Sequence, residues 1–352
     1  MLTGYFLPQI ALYTATTGDD RYGQPGSLTF RLSDGLQWPH DSHSINQSIV
    51  DNFERSAYCL YPCEPNWIYP GCNMRGMLGV VSHDLAFGTR NAARFAQPFL
   101  TGLEQEFENA AGSIIALRSS ILGIPLSFPA PDDSYPASMN AFAPAHAKWR
   151  WAINSAELMD KMVMVDGVPM LDLPEGGIDF GNYAKGSLVM SSAPILSSAR
   201  EMGDEEIAQA VLNTLAAKGG LTREGGVLRY LKGSNMANAT LAGGWMSRRN
   251  ALQDLYNRPQ DEGVRSGPIL SEARYPEVLV ARAVSDGAGL DLVLFGTPDN
   301  ASHELGFERL RPGTAYTAAE RQGLRFTADS AGRARVSVDL SGRTVLSIRP
   351  EA

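Results

Sequence analysis

Residues 45–88 read INQSIVDNFERSAYCLYPCEPNWIYPGCNMRGMLGVVSHDLAFG, and how this stretch divides decides the fold. Its first part sets Ile45, Ile49, Phe53, Ala57 and Leu60 on one face at helical spacing. Its last part, from Asn73, is apolar with the same period and stops at Gly88. Between the two, Pro62, Pro65 and Pro70 hold the chain out of helix. The segment therefore predicts two helices joined by a loop that carries Cys63 and Cys72.

The same pattern continues outward. FLPQIALYTATTGDD (6–20) is helical and stops at Gly18. NAARFAQPFLTGLEQEFENA (91–110), GSLVMSSAPILSSAREMGD (186–204), EEIAQAVLNTLAAK (205–218) and MANATLAGGWMSRRNALQDLY (236–256) are further expected helices, making seven before residue 260. Loops rich in Gly, Pro, Asp and Ser separate them, the longest being PLSFPAPDDSYPASMNAFAPA (125–145).

Near residue 268 the period changes from helical to two. YPEVLVARAVSD (275–286), GLDLVLFG (289–296), RFTADSAGRARVSVDL (325–340) and RTVLSIRP (343–350) are strand-length, with turn signals such as RPG, DSAG and LSG. The expected fold is mainly α, helical hairpins around a central cavity over 1–262. A small antiparallel β-sandwich-like domain follows over 268–352.

Composition limits the functions. At 352 residues, with 44% apolar and 19% charged, the chain is globular and large enough for buried cores. A net charge of −8 without any basic, aromatic-interleaved stripe argues against a nucleic-acid partner. No apolar run approaches the roughly 20 residues that span a bilayer. The N-terminus MLTGYFLPQIALY has neither a basic region nor a small-residue cleavage site, so the cytoplasm is expected. No phosphate-binding glycine loop and no Ser-His-Asp signature appears.

All three cysteines lie between residues 59 and 72, an odd clustered set that does not suggest a structural disulfide framework. Three readings of Cys63 and Cys72 stand side by side. They are small hydrophobes; they form a metal clip with Cys59 and His83, at a spacing unlike the common zinc patterns; or they move protons. On the third reading Cys72, at the start of a helix, is the easier thiolate, while Cys63 or Glu64 nearby keeps one partner protonated. One acid and one base in one pocket is what proton-transfer chemistry needs. Both thiols are expected reduced, on the cavity floor. Spacing alone does not choose among the three.

The loop CEPNWIYPGCN (63–73) resembles the active-site loop of the linalool dehydratase/isomerase family, which carries a C-E-P-N/D…C-N frame with the same separation. TGYFLPQIALYTATTGDDRY (3–22), EGGIDFGNYAKGSLVMSSAPILSSAREMGDEE (175–206) and GVLRYLKGSNMANATLAGGW (226–245) resemble further family segments in the same order. The resemblance implies an (α/α)6 barrel with a central pocket. It also implies cofactor-free isomerisation of geraniol to linalool and dehydration of linalool to myrcene, with the loop cysteines in acid/base or covalent roles. By position those roles fall on Cys63 and Cys72, with Glu64 and Asn66 beside them. Trp67 and Tyr69 would shelter a cation-like transition state. Asp179 and Tyr230 lie in the other matching segments and are candidate substrate contacts.

Two departures stand out. Tyr5 occupies the place of a family histidine just after the glycine matched by Gly4, and a phenol of pKa near ~10 is a weaker acid than imidazolium. The family's remaining catalytic Asp and Tyr belong upstream of the matching segment. The chain is therefore expected to be a fragment, an open barrel, or one completed by a homo-oligomer or partner segment. A small apolar alcohol is the expected substrate, although linalool itself is not.

Two other functions compete. Helical toroids with a C-terminal β domain are common among carbohydrate-active hydrolases and lyases, which work with paired carboxylates and leave the cysteine loop without a role. A non-catalytic homologue kept for binding is the third. His83 and Asp84 form a polar pair three turns after Cys72, with a satisfied core pair as the alternative. The cluster His40, Asp41 and His43 precedes a helix for which Ser42 or Ser44 is the expected N-cap.

Overall fold

The computed structural model describes residues 2–110, 112–126, 135–173, 178–224, 227–296, 302–318 and 323–351. The chain divides into two compact units, residues 1–12 with 20–258 and residues 13–19 with 259–352.

The first unit opens on α1 (Leu2–Thr17), of which Tyr13–Thr17 counts with the second unit. A hairpin of β1 (Leu28–Ser33) and β2 (Leu36–His40) leads to α2 (Ser42–Arg55). Asp41 starts α2: its carboxylate accepts from the Ser44 amide, and the Ser44 hydroxyl pairs with the Asp41 amide. The expected serine N-cap is thus an aspartate, because its carboxylate closes a capping box with Ser44. Ile45, Ile49 and Phe53 are buried as their spacing required. The helix ends at Arg55, before Ala57 and Leu60, so the expected face from Ile45 to Leu60 is shorter.

Then come β3 (Trp67–Ile68), α3 (Pro70–Phe87), α4 (Asn91–Glu106), β4 (Leu117–Ser119) and β5 (Pro125–Leu126). Strands β3, β4 and β5 form one antiparallel sheet. The expected long loop after Pro125 contains α5 (Tyr135–Met139) and leads into α6 (Pro144–Asp160), while residues 127–134 of it lie outside the described residues. Alternating charge and aromatics in α6 blur its apolar face, which hid it from the periodicity.

Hairpins of β6 (Met162–Val165) with β7 (Val168–Leu171), and of β8 (Ile178–Asp179) with β9 (Ala184–Lys185), precede α7 (Leu188–Met202) and α8 (Glu205–Lys218). The hairpin of β10 (Leu221–Glu224) and β11 (Val227–Tyr230) leads to α9 (Asn235–Met246) and α10 (Ala251–Asn257). Residues 236–256, expected as one helix, are therefore two. Asn250 takes a left-handed φ of 58° at the break, and the buried Glu201 carboxylate accepts from the amides of Leu252 and Gln253 to start α10.

Among the described residues of this unit two large apolar cores result, with a smaller cluster of Leu78, Val81, Ala141 and Tyr256. One gathers Leu7, Ile49, Phe53, Met77, Phe99 and Phe107; the other gathers Leu171, Val189, Leu196, Val211, Tyr230 and Leu241. Gly102 on α4 allows the first to close, since a Cβ there would run into the Tyr58 carbonyl oxygen. None of the helices among the described residues is long and apolar enough to cross a membrane.

Among the described residues the second unit has α11 (Glu262–Ser266) and eight strands: β12 (Ile269–Ala273), β13 (Val278–Ser285), β14 (Leu290–Gly296), β15 (Ser302–Glu308), β16 (Ala315–Ala318), β17 (Arg325–Thr327), β18 (Ala334–Asp339) and β19 (Gly342–Pro350). They form a three-stranded sheet, β12-β15-β18, and a five-stranded sheet, β13-β14-β19-β16-β17, all pairs antiparallel. Alternate residues from both sheets share one core: Leu292, Leu294, Leu346 and Ile348 meet Leu305, Phe307 and Val338. The period-two reading of this region is thereby met, and β12, β15 and β16 are strands it did not anticipate.

Candidate active site

The cysteine loop runs from Tyr61 to the first turn of α3. Pro70 opens that helix at its first position, where the missing N–H costs nothing, so Cys72 lies within the first turn. The middle of the loop is tied to β4: Trp67 pairs with Ser119, Ile68 with Arg118, and the Ser120 amide donates to the Asn66 carbonyl at 2.9 Å. Ile68 is buried, and Asn66 takes a left-handed φ of 70°, a conformation asparagine tolerates.

The ends of the loop are tied by Asn73, which is 1% exposed. Its Oδ1 accepts from the Tyr61 amide, and its Nδ2 donates to the carbonyls of Tyr61 and Tyr69, each at 3.0 Å. Gly4 of α1 packs on the same turn; a Cβ there would sit 3.2 Å from the Gly76 amide nitrogen and 3.5 Å from the Cys72 carbonyl. Thr3 beside it shares a hydrogen bond with the Tyr61 hydroxyl. Gly76, one turn after Cys72, leaves that phenol room, at 3.5 Å from where its Cβ would stand.

Cys63 and Cys72 are both free and half-buried, and their thiols are hydrogen-bonded to each other. That bond lowers Cys63 to about 7, while it and burial push Cys72 well above the ordinary thiol value. The contact between them thus moves the two thiols in opposite directions. Helix position favours Cys72 as the thiolate, whereas the group lowered within the pair is Cys63. Burial raises Tyr61 to about 12 and Cys59 to about 11, so neither titrates near neutrality. Cys59 is packed in the first core as a small hydrophobe.

Of the other residues singled out by sequence, Glu64 is exposed and accepts from the Tyr69 hydroxyl at 3.3 Å. Trp67 and Tyr69 are half-buried on the loop. Tyr5 is 40% exposed, with the Arg75 guanidinium 5.0 Å from its ring centre and no hydrogen bond to any described residue.

Asp179 is fully buried. Burial opposes its charge, but the Ser234 hydroxyl and amide, the Gly181 amide and the Ser187 hydroxyl outweigh it and hold the carboxyl below its ordinary value. Ser187 and Ser234 cap α7 and α9, so Asp179 ties two helix starts together and leaves no oxygen open to a ligand. Tyr230 is 4% exposed in the second core. Its backbone is held by Asn238, whose Oδ1 accepts from the Tyr230 amide and whose Nδ2 donates to the carbonyls of Tyr230, Gly233 and Ser234.

His83 is 3% exposed, 3.0 Å from His43 and 3.1 Å from Thr89; burial lowers it to about 4. Asp84 caps α4 by accepting from Asn91 and Ala92. This is the satisfied pair. Among the described residues Cys59, Cys63, Cys72 and His83 do not gather as a ligand set.

Two hollows, of about 810 and 390 Å³, open in the first unit. The larger is lined by Phe53, Tyr58, Cys59 and Phe95, the smaller by Val81, Asn140, Phe142 and Tyr256. Neither is lined by Cys63 or Cys72, so the thiols do not form the floor of these hollows, as a central-cavity arrangement would have had them. Asn73 and Tyr61 went unnoticed in the sequence. The only available signal was an asparagine directly after the second cysteine in the family's C-N frame.

The family model described as linalool dehydratase/isomerase (Ldi) matches residues 1–236. No curated protein matches the chain.

Proposed function

This chain belongs to the linalool dehydratase/isomerase family, an enzyme family, and on that premise we propose that it dehydrates or isomerises an allylic or tertiary, terpenoid-like alcohol without a cofactor. The reading includes the family's (α/α)6 barrel for the helical unit, open or completed by a partner segment. The supporting observation is the thiol pair, with Cys63 ready as base and Cys72 retained as donor.

In dehydration, the Cys72 S–H protonates the substrate hydroxyl, and the carbon–oxygen bond breaks with its electron pair leaving on water. The Cys63 thiolate takes a proton from the adjacent carbon, and that C–H pair becomes the new double bond. Alcohol gives alkene plus water, with no change of oxidation state. The proton then sits on Cys63 and the charge on Cys72; transfer along the thiol–thiol hydrogen bond restores the start. In isomerisation, water returns to the other end of the allylic system by the same groups in reverse. Trp67 and Tyr69 would face the developing cation, and Glu64 with Asn66 would meet the hydroxyl end of the substrate.

The test is gas chromatography of alkene and isomer products from linalool, geraniol and other tertiary or allylic alcohols. Cys63→Ala and Cys72→Ala are each expected to remove ~10²–10⁴-fold of turnover, the scale of one acid/base contribution. A loss under tenfold in both would sink the thiol mechanism.

A further inference from the structure

We propose that Asn73 is the positioning residue of the thiol pair: its carboxamide ties both ends of the cysteine loop to the first turn of α3 and so sets Cys63 against Cys72. This rests on the proton-handling role given to the pair above. The β3–β4 pairing, the Asn66–Ser120 bond and the turn in which the Trp67 amide donates to the Glu64 carbonyl fix the middle of the loop, residues 64–68. Both cysteines lie outside that anchor, Cys63 before it and Cys72 after it. Between Tyr61 and Cys63 stands only Pro62, whose ring has no N–H to contribute.

Asn73 supplies the missing constraint. Three hydrogen bonds from one buried carboxamide reach the backbone two residues before Cys63 and three residues before Cys72. Because Asn73 adjoins Cys72 in a helix, whatever it grips is placed relative to that thiol. A carboxamide is suited to this, since it donates and accepts at once; an aspartate would face both carbonyls with oxygen. Thiol–thiol hydrogen bonds are weak and distance-dependent, so the split between the two sulfurs persists only while the loop ends are held.

The molecule contains its own control. Asn238 occupies the same fourth position of α9 that Asn73 occupies in α3, and it grips the amide and carbonyl of Tyr230 as Asn73 grips those of Tyr61. It holds no cysteine. Removing either asparagine leaves comparable backbone groups unpaired, but only Asn73 adjoins a thiol.

The experiment is the pH profile of iodoacetamide alkylation, read at Cys63 by mass spectrometry, in the full chain and in Asn73→Ala and Asn238→Ala. The wild-type midpoint is expected near 7. In Asn73→Ala it should move by about one unit or more toward the ordinary thiol value of ~8.5, slowing alkylation at pH 7 roughly tenfold. In Asn238→Ala it should not move. An unchanged midpoint in folded Asn73→Ala overturns the inference while leaving the thiol reading intact. A wild-type protein with no thiol titrating near neutrality overturns the reading itself. Should Asn73→Ala not fold, hydrogen exchange of the wild-type Tyr61 amide decides: protection supports the clasp, and exchange at the free-peptide rate overturns it.

Discussion

The entrances to α3 and α9 are built alike and put to different ends. At each, a tyrosine precedes the helix, and an asparagine in the first turn grips its backbone. At α9 the ionisable group nearby is Asp179, fully buried and accepting from four donors. Ser187 and Ser234, the caps of α7 and α9, and the Gly181 amide of its own hairpin take up its oxygens, so the charge is spent on structure. At α3 the ionisable groups are Cys63 and Cys72, half-buried and bonded mainly to each other. The same backbone device holds a closed carboxylate in one place and an open proton-sharing pair in the other. Reactivity is decided by which polar groups are left unsaturated and reachable, rather than by the scaffold that positions them.

The contrast breaks if the two sites respond alike to mutation. Cys72→Ala should remove ~10²–10⁴-fold of turnover while lowering stability by no more than about 1 kcal/mol, because the thiol is half-buried and small. Asp179→Ala should do the reverse. It strips the Ser234 and Gly181 amides of their acceptor and loosens two helix caps, on the order of 3 kcal/mol. Urea unfolding and product formation, measured on both variants, give the crossed pattern; parallel losses in both would end the comparison.

A second prediction sharpens it through pH. His83 is lowered in the fold to about 4 from 6.5. A base whose folded pKa is depressed contributes stability that is present above its unfolded value and lost as pH falls toward the folded one. Stability should therefore decline between pH ~6.5 and ~4 by roughly 2–3 kcal/mol from this residue, and His83→Gln should flatten that decline in urea midpoints across the range. The thiol titration lies higher and should be unaffected by this variant.

The smallest effects belong to the exposed residues. Tyr5→Phe is expected to cost less than about tenfold in turnover, because its phenol bonds to nothing described. Glu64→Gln should shift stability by under ~0.5 kcal/mol, as among the described residues its side chain bonds only to the half-exposed Tyr69 hydroxyl. A hundredfold loss from Tyr5→Phe would return that residue to the centre of the site.

Read alone, the residues gave most of the helices, the strands after residue 268 and the cysteine loop, since each follows from periodicity, proline placement or motif order. Ile45, Ile49 and Phe53 are buried because helical spacing puts them on one face, and Leu292 and Leu294 because strand spacing does. What the pattern missed depends on long-range partners. The split of 236–256 into α9 and α10 rests on Glu201, far away in sequence, taking the amides of Leu252 and Gln253. Asp179 looked open among its glycines until Ser234 closed over it. The direction in which each thiol shifts likewise comes from a contact, the hydrogen bond between Cys63 and Cys72, where helix position alone pointed the other way. Local sequence fixes dihedral preferences and faces; protonation and accessibility are set by whichever groups the fold brings within hydrogen-bond distance.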